Sequence, residues 1–218
     1  MSVIEFIEGP LWSFALAVFV LGIAWRIFSL LAMKRPRDLS VAREGAGGVG
    51  GATKALVIHS IPHGGNLGRT IYHFVTGYMF HIGLFVLVLF AAPHVAFIQE
   101  RLIGADIGWP EMPRWAFIVA AEAAFAGLIL LYVHRLTDPV KKQLTDIDDH
   151  LGVWLTFIVM LTGCLALQEA HAGLRAFHML TVEALMIYFP FSRLMHAFTF
   201  AFARARTGAT YGRRGFTP

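Results

Sequence analysis

The stretch that decides the fold is HMLTVEALMIYFPFSRLMH, residues His178 to His196. It is apolar over most of its length and bracketed by two histidines eighteen residues apart. At 100° per residue, eighteen steps close five full turns, so a continuous helix carries both imidazoles on one stripe. At 1.5 Å rise they stand roughly 27 Å apart, close to the hydrocarbon thickness of a bilayer. The stretch is therefore expected to be a membrane-spanning helix with one histidine near each face, both pointing the same way.

The rest of the chain has the same character. Of its 218 residues, 57% are hydrophobic and only 15% charged, with a mean hydropathy of +0.64; a soluble domain is nearer a quarter charged. Five apolar blocks emerge, at about residues 11–33, 72–98, 115–133, 150–167 and 176–203. Each is close to the ~20 residues that a spanning helix needs. They are continuous rather than alternating, which points to helices and not strands. The expected fold is all-α, a single polytopic membrane domain over residues 1–218 with five transmembrane helices in a bundle. The first block has no basic segment before it and is long enough to span, so it reads as a helix and not a cleaved signal.

Charge sets the orientation. Lys34, Arg35, Arg37, Arg43, Lys54 and Arg69 lie between the first two blocks, Arg135, Lys141 and Lys142 between the third and fourth, and Arg204, Arg206, Arg213 and Arg214 in the tail. These thirteen share one side, against Arg101, Arg114 and Arg175 on the other. The positive-inside rule then puts the N-terminus outside and the C-terminus in the cytoplasm. The net charge of +4 is explained by these membrane-flanking loops, so nucleic acid is not an expected partner. Cys164 is the one cysteine and lies within an apolar block, which excludes a disulfide framework or a thiolate metal site. The cytoplasmic loop 34–71 contains the glycine-rich run Glu44–Ala52, flexible by composition. Without GK[ST] and a preceding strand it is not a phosphate loop. It is expected to be a mobile segment or a docking surface for a soluble partner.

Ten histidines need an account. Ionisable residues inside spans are functional candidates because burying them unpartnered is costly. The second block carries His81 and His94, the fifth His178 and His196. On antiparallel helices His81 matches His196 in depth near the cytoplasmic face, and His94 matches His178 near the outer face. Paired imidazoles of this kind suit bis-histidine ligation of haem iron, whereas zinc wants three or four ligands. Small residues such as Gly83 would give a macrocycle room. The alternative is that these histidines hydrogen-bond between helices. His81 and His94 are thirteen residues apart, about 220° around an ideal helix, and so do not share a face. Pro93 is expected to bend or end the helix there. Of the others, His59 and His63 fall in the loop, His73 near the membrane surface as a fallback ligand, His134 and His150 at cytoplasmic helix ends, and His171 in a short outer loop.

At Phe189-Pro190-Phe191-Ser192-Arg193-Leu194-Met195-His196, with a histidine eighteen residues earlier, the chain resembles the gamma (cytochrome b) subunit of respiratory nitrate reductase. That family includes related membrane subunits of sulfur-metabolism and heterodisulfide-reductase-like complexes. Phe80-His81-Ile82-Gly83 is similar to the family's second-helix motif, and Pro139 and Thr145–Asp148 are weaker matches. The resemblance implies two haem b groups, one on the cytoplasmic side held by His81 and His196 and an outer one held by His178. At the nitrate reductase position of the fourth ligand, ten residues after His81, stands Ala91; the wider spacing to His94 is more like the sulfur-metabolism relatives. The resemblance also implies exchange of electrons between menaquinone or ubiquinone and a cytoplasmic iron–sulfur subunit, in a bacterial or archaeal cytoplasmic membrane. Arg114 and Glu122 are the charged candidates for a quinone pocket, and Arg193 for pairing with a haem propionate or with lipid phosphate. Glu183, in mid-span, is a candidate for a proton path or a partner to polar groups between helices. No catalytic residue is assigned, because no molybdenum, flavin or cluster motif is present. Two rivals are a haem-poor or haem-free anchor that tethers a catalytic partner, and a small transporter, whose broken helix or internal repeat is not visible in the sequence.

Overall fold

The structure is a computed structural model that describes residues 1–34, 41–62, 64–167 and 171–216. Arg35, Arg37 and His63 lie outside the described residues. Every element among those described is helical. Four helical runs are long and apolar enough to cross a membrane: Val3–Ala32, Gly64–Phe90, Arg114–Thr137 and Ile147–Ala166.

The first run starts earlier than the apolar block suggests. Ser2 caps α1 (Val3–Phe6) in a reciprocal capping box with Glu5. Pro10 has no backbone N–H to give, and the chain passes it in a wide π-type turn, Ile7–Leu11, before α2 (Trp12–Ala32).

The chain divides into two compact units. One comprises Met1–Trp12 and Tyr72–Leu185, the other Ser13–Ile71 and Met186–Pro218. The core of the first unit is Leu87, Ala120, Ala121, Ala124, Leu128 and Met160, with Phe80, Phe125 and Phe157 packed on it. It joins α4 (Leu67–Phe90), α6 (Arg114–Thr137) and α8 (Ile147–Ala166). Small residues let α4 and α6 meet backbone to backbone. A Cβ on Gly83 would lie 2.6 Å from the Ala120 carbonyl oxygen, and one on Gly127 2.5 Å from the Phe80 nitrogen. Gly83 thus serves helix packing; the space it leaves is filled by α6 and is not room for a macrocycle.

The second apolar block is not one helix. α4 stops at Phe90, Ala91 is extended, and Pro93 sits in the first turn of a separate short helix, α5 (Ala92–Phe97). The carbonyls at the end of α4 are taken up by the following loop: Trp109 Nε1 donates to Leu89 at 2.9 Å, and the Met112 amide to Phe90 at 2.8 Å. At the far end of α6, Asp138 caps α7 (Pro139–Leu144), accepting from the amides of Val140 and Lys141. Those amides, Lys141's first, hold its carboxyl below the usual carboxylate range. α8 opens with an Asp146–Asp149 capping box, and the buried Asp149 also pairs with Arg135 at 3.1 Å.

The last apolar block is broken too. α9 (Ala172–Tyr188) ends in two short 3-10 turns, Phe189–Phe191 and Arg193–Met195, before α10 (His196–Arg213). Pro190 withholds a donor there, and Ser192 is extended with its hydroxyl capping the Leu194 amide. The continuous five-turn stripe expected between His178 and His196 is therefore absent. In the second unit, Gly22 of α2 accommodates Pro190: a Cβ there would stand 2.5 Å from the proline ring.

The glycine-rich run is not a loop throughout. Gly48–Ile58 forms α3, which packs along α10. Gly51 faces Gly208 and Gly212, and Gly208 faces Ala55, each too close for a side chain in between. Glycine is unfavourable inside an isolated helix; here the close backbone approach supplies the compensation.

Candidate functional site

Four histidines were expected as ligands, and the structure brings two of them together. His94 on α5 and His178 on α9 have ring centres 6.1 Å apart and planes within 24°. That separation lies toward the wide end of offset ring stacking. It is about the separation of two imidazoles sharing one metal at roughly 2.0 Å per nitrogen.

The sequence around each ring fixes its orientation. His94 Nδ1 donates to the Leu87 carbonyl at 3.0 Å, one of the last carbonyls of α4. The helix break at Ala91 makes this possible by turning the chain back, which also answers the 220° phase mismatch on an ideal helix. His178 Nδ1 is 3.1 Å from the Thr162 hydroxyl on α8. Thr162 in turn contacts the carbonyls of Ile158 and Val159, and Thr181, while Thr181 donates to the His178 carbonyl. With acceptors enough for both hydroxyl protons, the proton between Thr162 and His178 is assigned to Nδ1. Both rings then present Nε2 lone pairs, the arrangement in which a second hydrogen bond orients a ligating imidazole. Gly163 backs this site: a Cβ there would approach His178 Cε1 to 3.0 Å.

The other expected ligands have comparable anchoring. His81 Nδ1 donates to the Gly77 carbonyl at 2.7 Å, and His196 Nδ1 to the Arg193 carbonyl at 2.9 Å. They belong to different compact units. His81 is half-buried, while His196 and Arg193 are exposed. Among the described residues no group of three or more His, Cys, Asp or Glu gathers as for a zinc site.

The remaining candidates are dispersed. Arg114 opens α6 and Glu122 lies two turns further along, both exposed. His150 pairs with the Tyr132 hydroxyl at 2.8 Å, and His134 lies edge-on to Tyr72; both are structural contacts at helix ends. His73 lies on α4 and His171 is exposed just before α9. Glu183 is 1% exposed, and neither carboxyl oxygen has a hydrogen-bond partner among the described residues. Arg175 binds Glu8 through Nη2 at 2.6 Å, tying α9 to the N-terminal turn.

Thr162, Gly163 and Thr181 were not singled out from the sequence. They lie on α8 and α9, and only the folded contact relates them to His178. A Thr-Gly pair in an apolar helix is a weak signal that a small, polar neighbour is needed.

A protein of Nitratidesulfovibrio vulgaris (strain Hildenborough), described only as "Protein", is 28% identical over 214 residues, covering 94% of this chain and 92% of its own length. No family model matches the chain. No solved structure matches it. Among the described residues the chain is all-helical, with four helices long and apolar enough to cross a membrane, and it is similar over most of its length to that bacterial protein.

Proposed function

We propose that this protein is the membrane-embedded, two-haem cytochrome b subunit of a respiratory oxidoreductase, exchanging electrons between a quinone pool and a cytoplasmic iron–sulfur partner. The His94–His178 pair carries the reading. Two near-parallel imidazoles with ring centres 6.1 Å apart, each with Nδ1 committed elsewhere, keep Nε2 as the nitrogen available to a metal. His81 and His196 would hold the second haem on the cytoplasmic side. When bound, haem supplies a one-electron carrier at each site.

The chain's own residues do the positioning. The Leu87 carbonyl and Thr162 hydroxyl fix ring rotation and tautomer, and Gly163 makes space beside His178. Arg193 would pair with a propionate, and Arg114 and Glu122 would hydrogen-bond a quinone head near the outer face. In this reading the chain crosses the bacterial or archaeal cytoplasmic membrane five times, N-terminus outside and C-terminus inside. α9, with 17 residues, is roughly 25 Å long and just sufficient for the fifth crossing.

Pyridine haemochrome analysis of the purified protein tests this: two haems per chain are expected, and none refutes it. His94→Ala and His178→Ala should each leave one. A haem-free anchor is the second reading, favoured by the fact that both imidazoles already cap or crosslink helices. A transporter would share the broken last helix, but the sequence has no internal repeat to accompany it.

A further inference from the structure

The two compact units differ sharply in charge. The unit Ser13–Ile71 with Met186–Pro218 contains twelve Lys or Arg against two Asp or Glu. The other contains six against twelve. After Glu183 the chain has no acidic residue. Half of these twelve lie on or beside the antiparallel α3–α10 pair, a hairpin in packing though not in sequence, which carries Lys54, Arg204, Arg206 and Arg213 and is flanked by Arg43 and Arg214.

The same hairpin exposes large apolar side chains along its length. Val49 is 83% exposed and Val57 59% on α3; Phe198, Phe202 and Tyr211 are exposed on α10, with Phe216 just beyond it. The glycine faces of both helices are consumed by their mutual contact, so these apolar groups are what the hairpin shows to its surroundings. A cavity of about 400 Å³ opens where the start of α3 meets the end of α10, lined by Arg43, Lys54, Gly51, Gly212 and Phe216, with Glu44 also present. The arrangement directly follows an apolar helix, since α10 begins six residues after Pro190.

We propose that the α3–α10 hairpin lies in the membrane–water interface and binds anionic phospholipid, with its phenylalanines and valines at the acyl boundary and its arginines and Lys54 at headgroup level. Charge complementarity favours lipid as the occupant. A surface that mixes cations with bulky apolar groups over a helix's whole length, next to a membrane segment, matches the layered chemistry of an anionic leaflet. An acidic protein face would satisfy the arginines but has no reason to meet Val49 and Phe216 as well as Phe198. This inference needs only a membrane protein and is independent of haem.

The test uses the full chain. In a Cys164→Ser background, Val49→Cys and Phe202→Cys are labelled with an environment-sensitive fluorophore. The protein is reconstituted in vesicles of phosphatidylcholine alone or mixed with phosphatidylglycerol. Both labels should be quenched by brominated acyl chains, more strongly when phosphatidylglycerol is present. In detergent, Arg206→Gln/Arg213→Gln should weaken phosphatidylglycerol binding, measured by native mass spectrometry, roughly tenfold or more, since each cation near an anionic surface contributes about fivefold. Labels that stay water-exposed in both vesicles overturn the proposal, as does shielding only by an added acidic protein. Unchanged lipid binding in the arginine variant, with the fold intact by circular dichroism, also overturns it.

Discussion

Gly50 and Gly51 are neighbours in α3, and the structure gives their replacement by alanine opposite signs. Nothing lies within 4 Å of a Cβ added at Gly50. Alanine there gains helix propensity alone, stabilising the hairpin by about 0.5–1 kcal/mol. A Cβ at Gly51 would stand 2.7 Å from Gly212 Cα and closer still to the Gly208 carbonyl oxygen. Carbon atoms rest at about 3.5–4.0 Å, so α3 and α10 must part by roughly 1 Å. Overpacking of this kind costs about 1–3 kcal/mol, which outweighs the propensity gain. Neither backbone can rotate away as a side chain would, and separation also weakens the Gly208–Ala55 contact. Hydrogen exchange of α3 and α10, measured by mass spectrometry in detergent micelles, reports this local stability. Gly51→Ala should exchange several-fold to tenfold faster than the parent, and Gly50→Ala slower. If both variants move the same way, the close crossing of α3 and α10 is not what orders the glycine-rich segment.

Gly163→Ala should press on the His178 ring by a few tenths of an ångström, given the 3.0 Å approach to Cε1. Under the haem reading it shifts the redox midpoint or low-spin electron paramagnetic resonance signal of the outer haem alone, with Gly173→Ala, whose Cβ meets nothing within 4 Å, as the silent control. Glu183→Leu should raise thermal stability by about 1–3 kcal/mol, because it removes a buried carboxyl with no hydrogen-bond partner among the described residues; a loss of stability by differential scanning fluorimetry would mean the carboxyl is satisfied in the membrane. Asp138 titrates below its ordinary value of 3.8, so its cap on α7 stabilises the fold fully above that pH and is lost as pH falls through the lower folded value. Exchange protection of α7 should therefore drop on acidification below about pH 4 in the parent and be low at neutral pH in Asp138→Ala.

The apolar blocks were legible because their length and continuity dominate any local signal. Residues 115–133 and 150–167 became α6 and α8 with only their ends extended by polar caps such as Asp146. The breaks were harder to read. Pro93 did mark the end of a helix, as its missing donor implies, and that break is what carries His94 toward His178. Pro190 is an equally plain signal, but the eighteen-residue spacing of His178 and His196 matches a continuous helical stripe so closely that it masks the break. The glycine-rich run reads as flexible because composition alone cannot distinguish a flexible segment from one that needs glycine for contact. Gly51 and Gly208 are 157 residues apart in the sequence, and no local pattern in the first announces the second. Gly83 failed for the same reason: the backbone that fills its space belongs to α6. In the candidate site, the two histidines could be paired by depth, but the Thr162 and Leu87 contacts that orient them depend on helix rotation.

The interruption between Tyr188 and His196 has a consequence for how such a chain could be tuned. A continuous helix would couple the azimuths of its first and last histidines rigidly, so any adjustment at one would rotate the other. With two 3-10 turns between them, His178 and His196 ride on separate hydrogen-bonded rods, and each can be set by its own neighbours. Under the haem reading, substitutions around Thr162 would then alter the His178 end without retuning His196.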